Sequence, residues 1–282
     1  MARQGWPGEA WAHADTPQEA RVTTLIETPS GGRDAGPPGG RARIAALLAT
    51  TPEDIDGVVA HLEQLQEILE QDYGQRDGLA CFNHLYLHIT RGIRHQLDGD
   101  HFSDRDFLVR LDVEFARRYF TALLAEATGS QPPRAWGVLL ERRSHPRIDP
   151  MEYAVVGVNA HVNFDLAPAV VRTCTVLGRT ALGPAERADY RAVNDVFALH
   201  MNKLIEHFEG WLGDAFDGTV AEQLLGAVAD VPVVLAREVA WRQALELWEQ
   251  RSRPTEYERE IDALDRRTAL IGRGLLTLGS LT

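Results

Sequence analysis

The chain has 282 residues, 44% of them hydrophobic and 25% charged, enough to bury a sizeable core. A net charge of -12 disfavours nonspecific binding to nucleic acid or to an anionic membrane. No apolar run reaches the roughly 18 residues of a membrane span and no apolar leader core opens the chain, so a soluble, cytoplasmic protein is expected. Residues 1–42, ending in "SGGRDAGPPGGR", have the composition of a flexible Gly/Pro/Arg-rich tail, with Trp6 and Trp11 inside it. Residues 43–282 are expected to form one helical domain.

Helical periods dominate that domain. "TPEDIDGVVAHLEQLQEILEQ" opens with Thr51 as an N-cap, Pro52 at the first position and acidic residues in the first turn. "GLACFNHLYLHITRGIRHQL" follows. The next helix takes Ser103 as its cap and ends near Gly129. "PPRAWGVLLERR" is short. Asp149 and Pro150 are a strong start signal for "DPMEYAVVGVNAHVNFDLA", and the chain resumes a helix at Pro168. A long helix follows "GPAERADY", and two more finish the chain. No internal repeat and no run of hairpin signals appears. The expected fold class is all-α, a single globular bundle of roughly eight to ten helices.

Within "VNAHVNFDLAP", apolar and polar residues alternate from Val158 to Leu166, the mark of a half-buried strand. The cap at Asp149, the length of the segment and its helical neighbours favour a buried helix instead. Wound that way, Met151, Ala154, Val155, Val158 and Val162 form the apolar stripe. His161 and Asp165, four residues apart, fall at its edge, and Asn159 and Asn163 lie on the opposite flank.

The same geometry sorts the polar residues of the other helices. Phe82, Leu85, Tyr86, Ile89, Ile93 and Leu97 form one stripe. His84, His88, Arg91 and His95 lie about 180° away and are expected to face solvent, despite the metal-ligand spacing of His84 and His88. Asn83 lies at a flank. Asp112 falls inside the face made by Leu108, Leu111, Phe115 and Tyr119, while Glu114 and Arg118 are spaced as a surface pair. Asn194 falls inside the stripe of Tyr190, Val193, Phe197, Met201, Leu204 and Phe208, with His200 and His207 toward one edge. Arg237 flanks the stripe of Val234, Trp241, Leu245 and Trp248. Cys81 and Cys174 form no CxxC and are expected as buried free thiols.

Unpaired burial costs on the order of 1–3 kcal/mol for each polar group, so this many inward polar residues need an account. Either they satisfy one another in a network that fixes helix packing, or they line a pocket. In a pocket, His161 could carry a proton near neutral pH, with Asp165 or Asp112 to orient it. Arg237 could hold an anionic or carbonyl oxygen, and Asn83, Asn159, Asn163 and Asn194 could bind polar parts of a substrate. The paired Glu-x-x-His signature of di-iron bundles is absent, as are His-Glu-x-x-His, a P-loop and a Gly-x-Ser-x-Gly elbow. No metal and no cofactor is assigned.

"ACFNHLYLHIT", "FLVRLDVEFARRYFTALL", "PRAWGVLLERR", "NAHVNFDLA", "DYRAVN" and "REVAW" occur in an order that resembles an uncharacterised, largely actinobacterial family defined as a domain of unknown function. The resemblance spans roughly residues 52 to 275. It implies an all-helical fold and marks Asn83, Asp112, Asn159, His161, Asn163, Asp165, Asn194 and Arg237 as motif positions. In the family pattern a second His often stands at the place of Phe164, so Phe164 removes a ligand candidate. The expected function is an enzyme of specialised metabolism that performs non-redox acid-base chemistry on a mostly apolar small molecule. Spiroacetal-type ring closure of a polyketide, by a cyclase, is one concrete form. The alternatives are a noncatalytic helical binding or scaffold protein and a metal-dependent hydrolase.

Overall fold

A computed structural model of the chain describes residues 39–97, 102–195 and 230–279. Every regular element among them is helical: α1 Gly40–Leu48, α2 Ile55–Asp72, α3 Gly78–Leu97, α4 Arg105–Thr128, α5 Arg134–Leu140, α6 Pro150–Ala160, a π-helical turn His161–Asp165 and α7 Leu166–Val176. Then come α8 over residues 184–195, α9 Asp230–Gln250 and α10 Pro254–Gly279. The fold is the all-α bundle that the sequence period calls for, and the alternating stretch is helix, not strand. Helix α1 begins inside the stretch expected as tail. Trp6 and Trp11, and the expected positions Phe197, His200, Met201, Leu204, His207 and Phe208, lie outside the described residues.

Helix starts follow the side chain that best satisfies the free N–H groups of the first turn. Asp149 caps α6 through Met151 N, with Pro150 at the first position, as expected. Two other caps move. Helix α2 is capped by Asp54, which accepts from Gly57 N, not by Thr51. Helix α4 is capped by Asp104, which accepts from Phe107 N, not by Ser103. Asp77 accepts from the backbone N–H groups of Leu79 and Ala80 at 3.0 and 3.2 Å, and Arg143 clasps the same carboxylate through two nitrogens at 2.7 and 2.8 Å. Gly129 ends α4 in the left-handed conformation (φ 82°), where a side chain would be strained.

The innermost element runs from Pro150 to Val176. Its 27 residues are long and apolar enough to cross a membrane, but 89% of its most apolar window is buried inside the protein, as in the core helix of a globular bundle. Helix α3 packs on α6, α4 on α7, α9 on α7 and on the π turn, and α10 on α5 and α6. Pro168 lies three residues after Asp165 and lacks the N–H that would bond the carbonyl of Phe164. The π turn just upstream is where the ladder absorbs that defect. Helix α3 packs against both α2 and α6, so His84 is buried and His88 half-buried, contrary to the solvated face expected of them; Arg91 and His95 are exposed.

Gly157 lets α3 come close. A Cβ there would overlap the Phe82 side chain, whose ring is itself buried among other rings. Gly157→Ala is therefore expected to destabilise the protein by about 2 kcal/mol through overpacking, read as a lower urea midpoint with unchanged slope.

Candidate active site

The central helix brings His161 and Asp165 together across the π turn. His161 Nδ1 lies 3.1 Å from Oδ2 of Asp165, and the indole N–H of Trp136 donates to the same oxygen at 2.9 Å. Indole only donates, so this oxygen is an acceptor and the imidazole proton belongs on Nδ1. Arg118 Nε stands 3.5 Å from the other oxygen, with its guanidinium over the Phe164 ring at 5.8 Å. Arg118 is thus turned to the central helix, not to Glu114 as expected; Glu114 is buried and pairs with Arg110 and Arg117. Phe164 is buried under Arg118.

Aromatic rings hold the imidazole plane. Phe115 stacks on it with centroids 3.5 Å apart and planes 8° apart, and Tyr86 meets it edge-on at 4.6 Å. Phe82 packs edge-on at 5.8 Å. The ring edge carrying Nε2 has no hydrogen-bond partner among the described residues.

His161 lines a cavity of about 70 Å³ between α3, α4, the central helix, α8 and α9. Leu85, Ile89, Ile93, Leu108, Leu111, Val158 and Val193 make its wall apolar. Its polar lining residues are Tyr86, Asp112, His161 and Arg237. Three of these carry a buried atom without a hydrogen-bond partner among the described residues: Tyr86 Oη, Asp112 Oδ2 and His161 Nε2. Buried polar atoms are usually bonded, and three without partners around one cavity make it the candidate site. A single water needs about 10–15 Å³ by this measure, so the space suits roughly five atoms.

Burial tunes these groups. It pushes the Asp112 carboxyl up from 3.8 to about 7. It lowers the His161 imidazole from its usual 6.5, against the opposing bond and charge of Asp165. The Tyr86 hydroxyl is driven well above 10, first by burial and then by the nearby charge of Asp112, with a hydrogen bond from the neighbouring Thr90 hydroxyl opposing. Arg237 is lowered from its usual value by burial.

The remaining expected site residues separate. Asn194, half-buried, is not in the cavity wall; its Oδ1 accepts from Arg237 Nε at 2.7 Å, and the carbonyl of Tyr190 accepts from the same guanidinium at 2.7 Å. Asn83 donates to the Leu62 carbonyl and to Gln66 Oε1 at 2.9 and 2.8 Å, and accepts from the Tyr119 hydroxyl, tying α3 to α2 and α4. Asn159 donates to the Thr268 carbonyl at 3.1 Å and accepts from Asn163 at 3.0 Å, tying α6 to α10. None of these four asparagines lines the cavity. Tyr86, Trp136, Phe115 and Arg118 enter the site without having been singled out. The first two had a signal: a hydroxyl or an indole N–H in a core stripe needs a partner. Cys81 and Cys174 are buried free thiols, as expected. No group of three or more His, Cys, Asp or Glu converges as a metal-ligand set among the described residues.

Fold and site together define an all-α bundle with a hydrogen-bonded His–Asp couple on its core helix, facing an apolar cavity. The chain belongs to a family of unknown function, DUF5995, whose pattern it matches over residues 55–278. No curated protein and no solved structure matches it.

Proposed function

We propose that the protein is an enzyme that performs non-redox acid-base chemistry on a mostly apolar small molecule. The observation that carries this reading is the set of orphaned atoms at the cavity, Tyr86 Oη, Asp112 Oδ2 and His161 Nε2. His161 is the base: burial keeps it neutral, Asp165 holds the proton on Nδ1, and the lone pair of Nε2 stays available. Asp112 is the acid, since a carboxyl raised to about 7 still holds its proton in part of the population at neutral pH. An acid and a base whose environments push them to opposite protonation states are what proton transfer at a neutral substrate requires. The cavity takes the reactive end of a molecule; ring closure, as of a spiroacetal, and hydration both need this pair.

The test compares metabolite extracts of the source organism incubated with the full-length protein or with His161→Gln, followed by mass spectrometry. Depletion of at least one metabolite by the wild type, with loss of about 10²-fold or more in the variant and an unchanged circular dichroism spectrum, is expected. A variant as active as the wild type would overturn the reading. So would a wild type that depletes nothing, which leaves the noncatalytic bundle that the bonds of Asn83, Asn159 and Asn163 already serve.

A further inference from the structure

Resting on the acid-base reading, we infer that the cavity binds a neutral apolar ketone and that Tyr86 and Asp112 together hold its carbonyl oxygen while His161 removes the neighbouring α-proton. Tyr86 was read from sequence only as part of an apolar stripe, yet its hydroxyl is buried at the cavity with only the Thr90 hydroxyl close by, and neither oxygen has a well-aligned hydrogen-bond partner among the described residues. Asp112 adds a second orphaned oxygen at the same cavity, and Leu85, Ile89 and Leu111 supply hydrocarbon for the body of the ligand. A carbonyl oxygen that becomes an enolate oxygen needs two donors that cost no reorganisation, placed away from water. A phenol and a protonated carboxyl are such donors; burial keeps the phenol proton in place and leaves the Asp112 proton on part of the population at neutral pH. Phe115 stacked on one face of His161 leaves the ring edge free to reach a carbon acid.

The step balances within the cavity. The lone pair of Nε2 takes the α-proton, the C–H bonding pair becomes the C=C bond, and the carbonyl π pair moves to oxygen. That oxygen then accepts from Tyr86 and Asp112. His161 becomes an imidazolium held by Asp165, and return of the proton to the same carbon, or to a conjugated one, restores the neutral ring. No oxidant, reductant or metal enters.

The test uses the full-length protein in D₂O with 2-butanone and cyclopentanone, whose five and six heavy atoms are about the size of the space. Deuterium uptake at the α-carbon is followed by proton NMR. The wild type is expected to exchange these protons faster than buffer. Tyr86→Phe and Asp112→Leu, each of which removes one of the two donors, are each expected to slow exchange by roughly 10²-fold. Both variants roughly keep the side-chain volume and remove a buried polar atom that lacks a well-aligned partner, so both are expected to fold; thermal unfolding checks this. Exchange no faster than buffer overturns the ketone assignment, and so does a Tyr86→Phe variant that exchanges at the wild-type rate. If metabolite depletion that depends on His161 persists while exchange is absent, only the ketone assignment falls. If both are absent, the acid-base reading falls with it.

Discussion

Asp112→Asn is expected to make the protein more stable at pH 8 and to leave it nearly unchanged at pH 4. The Asp112 carboxyl is raised by burial from 3.8 to about 7. Between those values the unfolded chain has released this proton and the folded chain has not. The stability contributed by the group is therefore complete below about 3.8 and is lost as pH rises through about 7. A rise from 3.8 to about 7 corresponds to on the order of 4 kcal/mol lost above pH 7. An amide never ionises, so the variant escapes that loss. Urea unfolding of both proteins at pH 4, 6 and 8 measures it: the difference should grow with pH, and one that is equal at all three pH values would mean that Asp112 ionises normally in the fold.

His161 has the opposite sign. Burial lowers it from 6.5, so below 6.5 the unfolded chain binds a proton that the folded chain refuses, and its contribution, present above 6.5, is lost as pH falls. In the wild type the two slopes oppose each other below 6.5. Removing Asp112 exposes the His161 slope, and the stability of the variant should rise with pH toward 6.5. A residue whose removal stabilises the fold is retained for something other than stability, which is the trade-off expected at an active site.

How far the sequence reaches can be judged residue by residue. The boundaries of α3 and the start of α6 were legible because one stripe and one cap signal stood alone there. Around Thr51 and Ser103, several residues able to cap stand side by side. In α2 the helix begins after Asp54, and the register that results buries Val58, Leu62, Leu65 and Leu69. Burial of His84 was not legible, because a stripe on one side of α3 does not say that α2 and α6 both pack against the helix. Angular position put Asp112 inside its stripe, His161 at an edge and Arg237 on a flank, and all three line the cavity. It placed Asn83 and Asn159 at the flanks of their stripes, and those are bonded to backbone carbonyls of neighbouring helices. The period reports burial; it does not report which acceptor stands opposite. The π turn was marked only by Pro168 inside an otherwise helical run, and without the turn the separation of His161 and Asp165 could be guessed only for a regular helix.

Two substitutions of Asp165 are expected to differ sharply. Asp165→Leu leaves the Trp136 N–H and the His161 Nδ1–H buried without their acceptor. Each orphaned donor costs about 1–3 kcal/mol, offset in part by relief of the buried carboxylate, for a net loss of about 3 kcal/mol. In a chain of this size that lowers the thermal midpoint by about 6–10 °C. Asp165→Asn keeps a carbonyl oxygen, and Trp136 decides which way it points: an indole cannot accept, so the oxygen must turn to Trp136 and His161 and the amide N–H₂ to Arg118. Arg118 is about one-third exposed and can swing to water. The asparagine variant should therefore stay folded and keep the proton of His161 on Nδ1, losing only the negative charge that supports an imidazolium. Nitrogen-15 shifts of the His161 ring, with the thermal midpoint, separate the cases. An Nε2–H tautomer in the asparagine variant would mean that Trp136 does not govern the orientation, and equal midpoints for the two variants would mean that Asp165 is not the shared acceptor on which the geometry of the base depends.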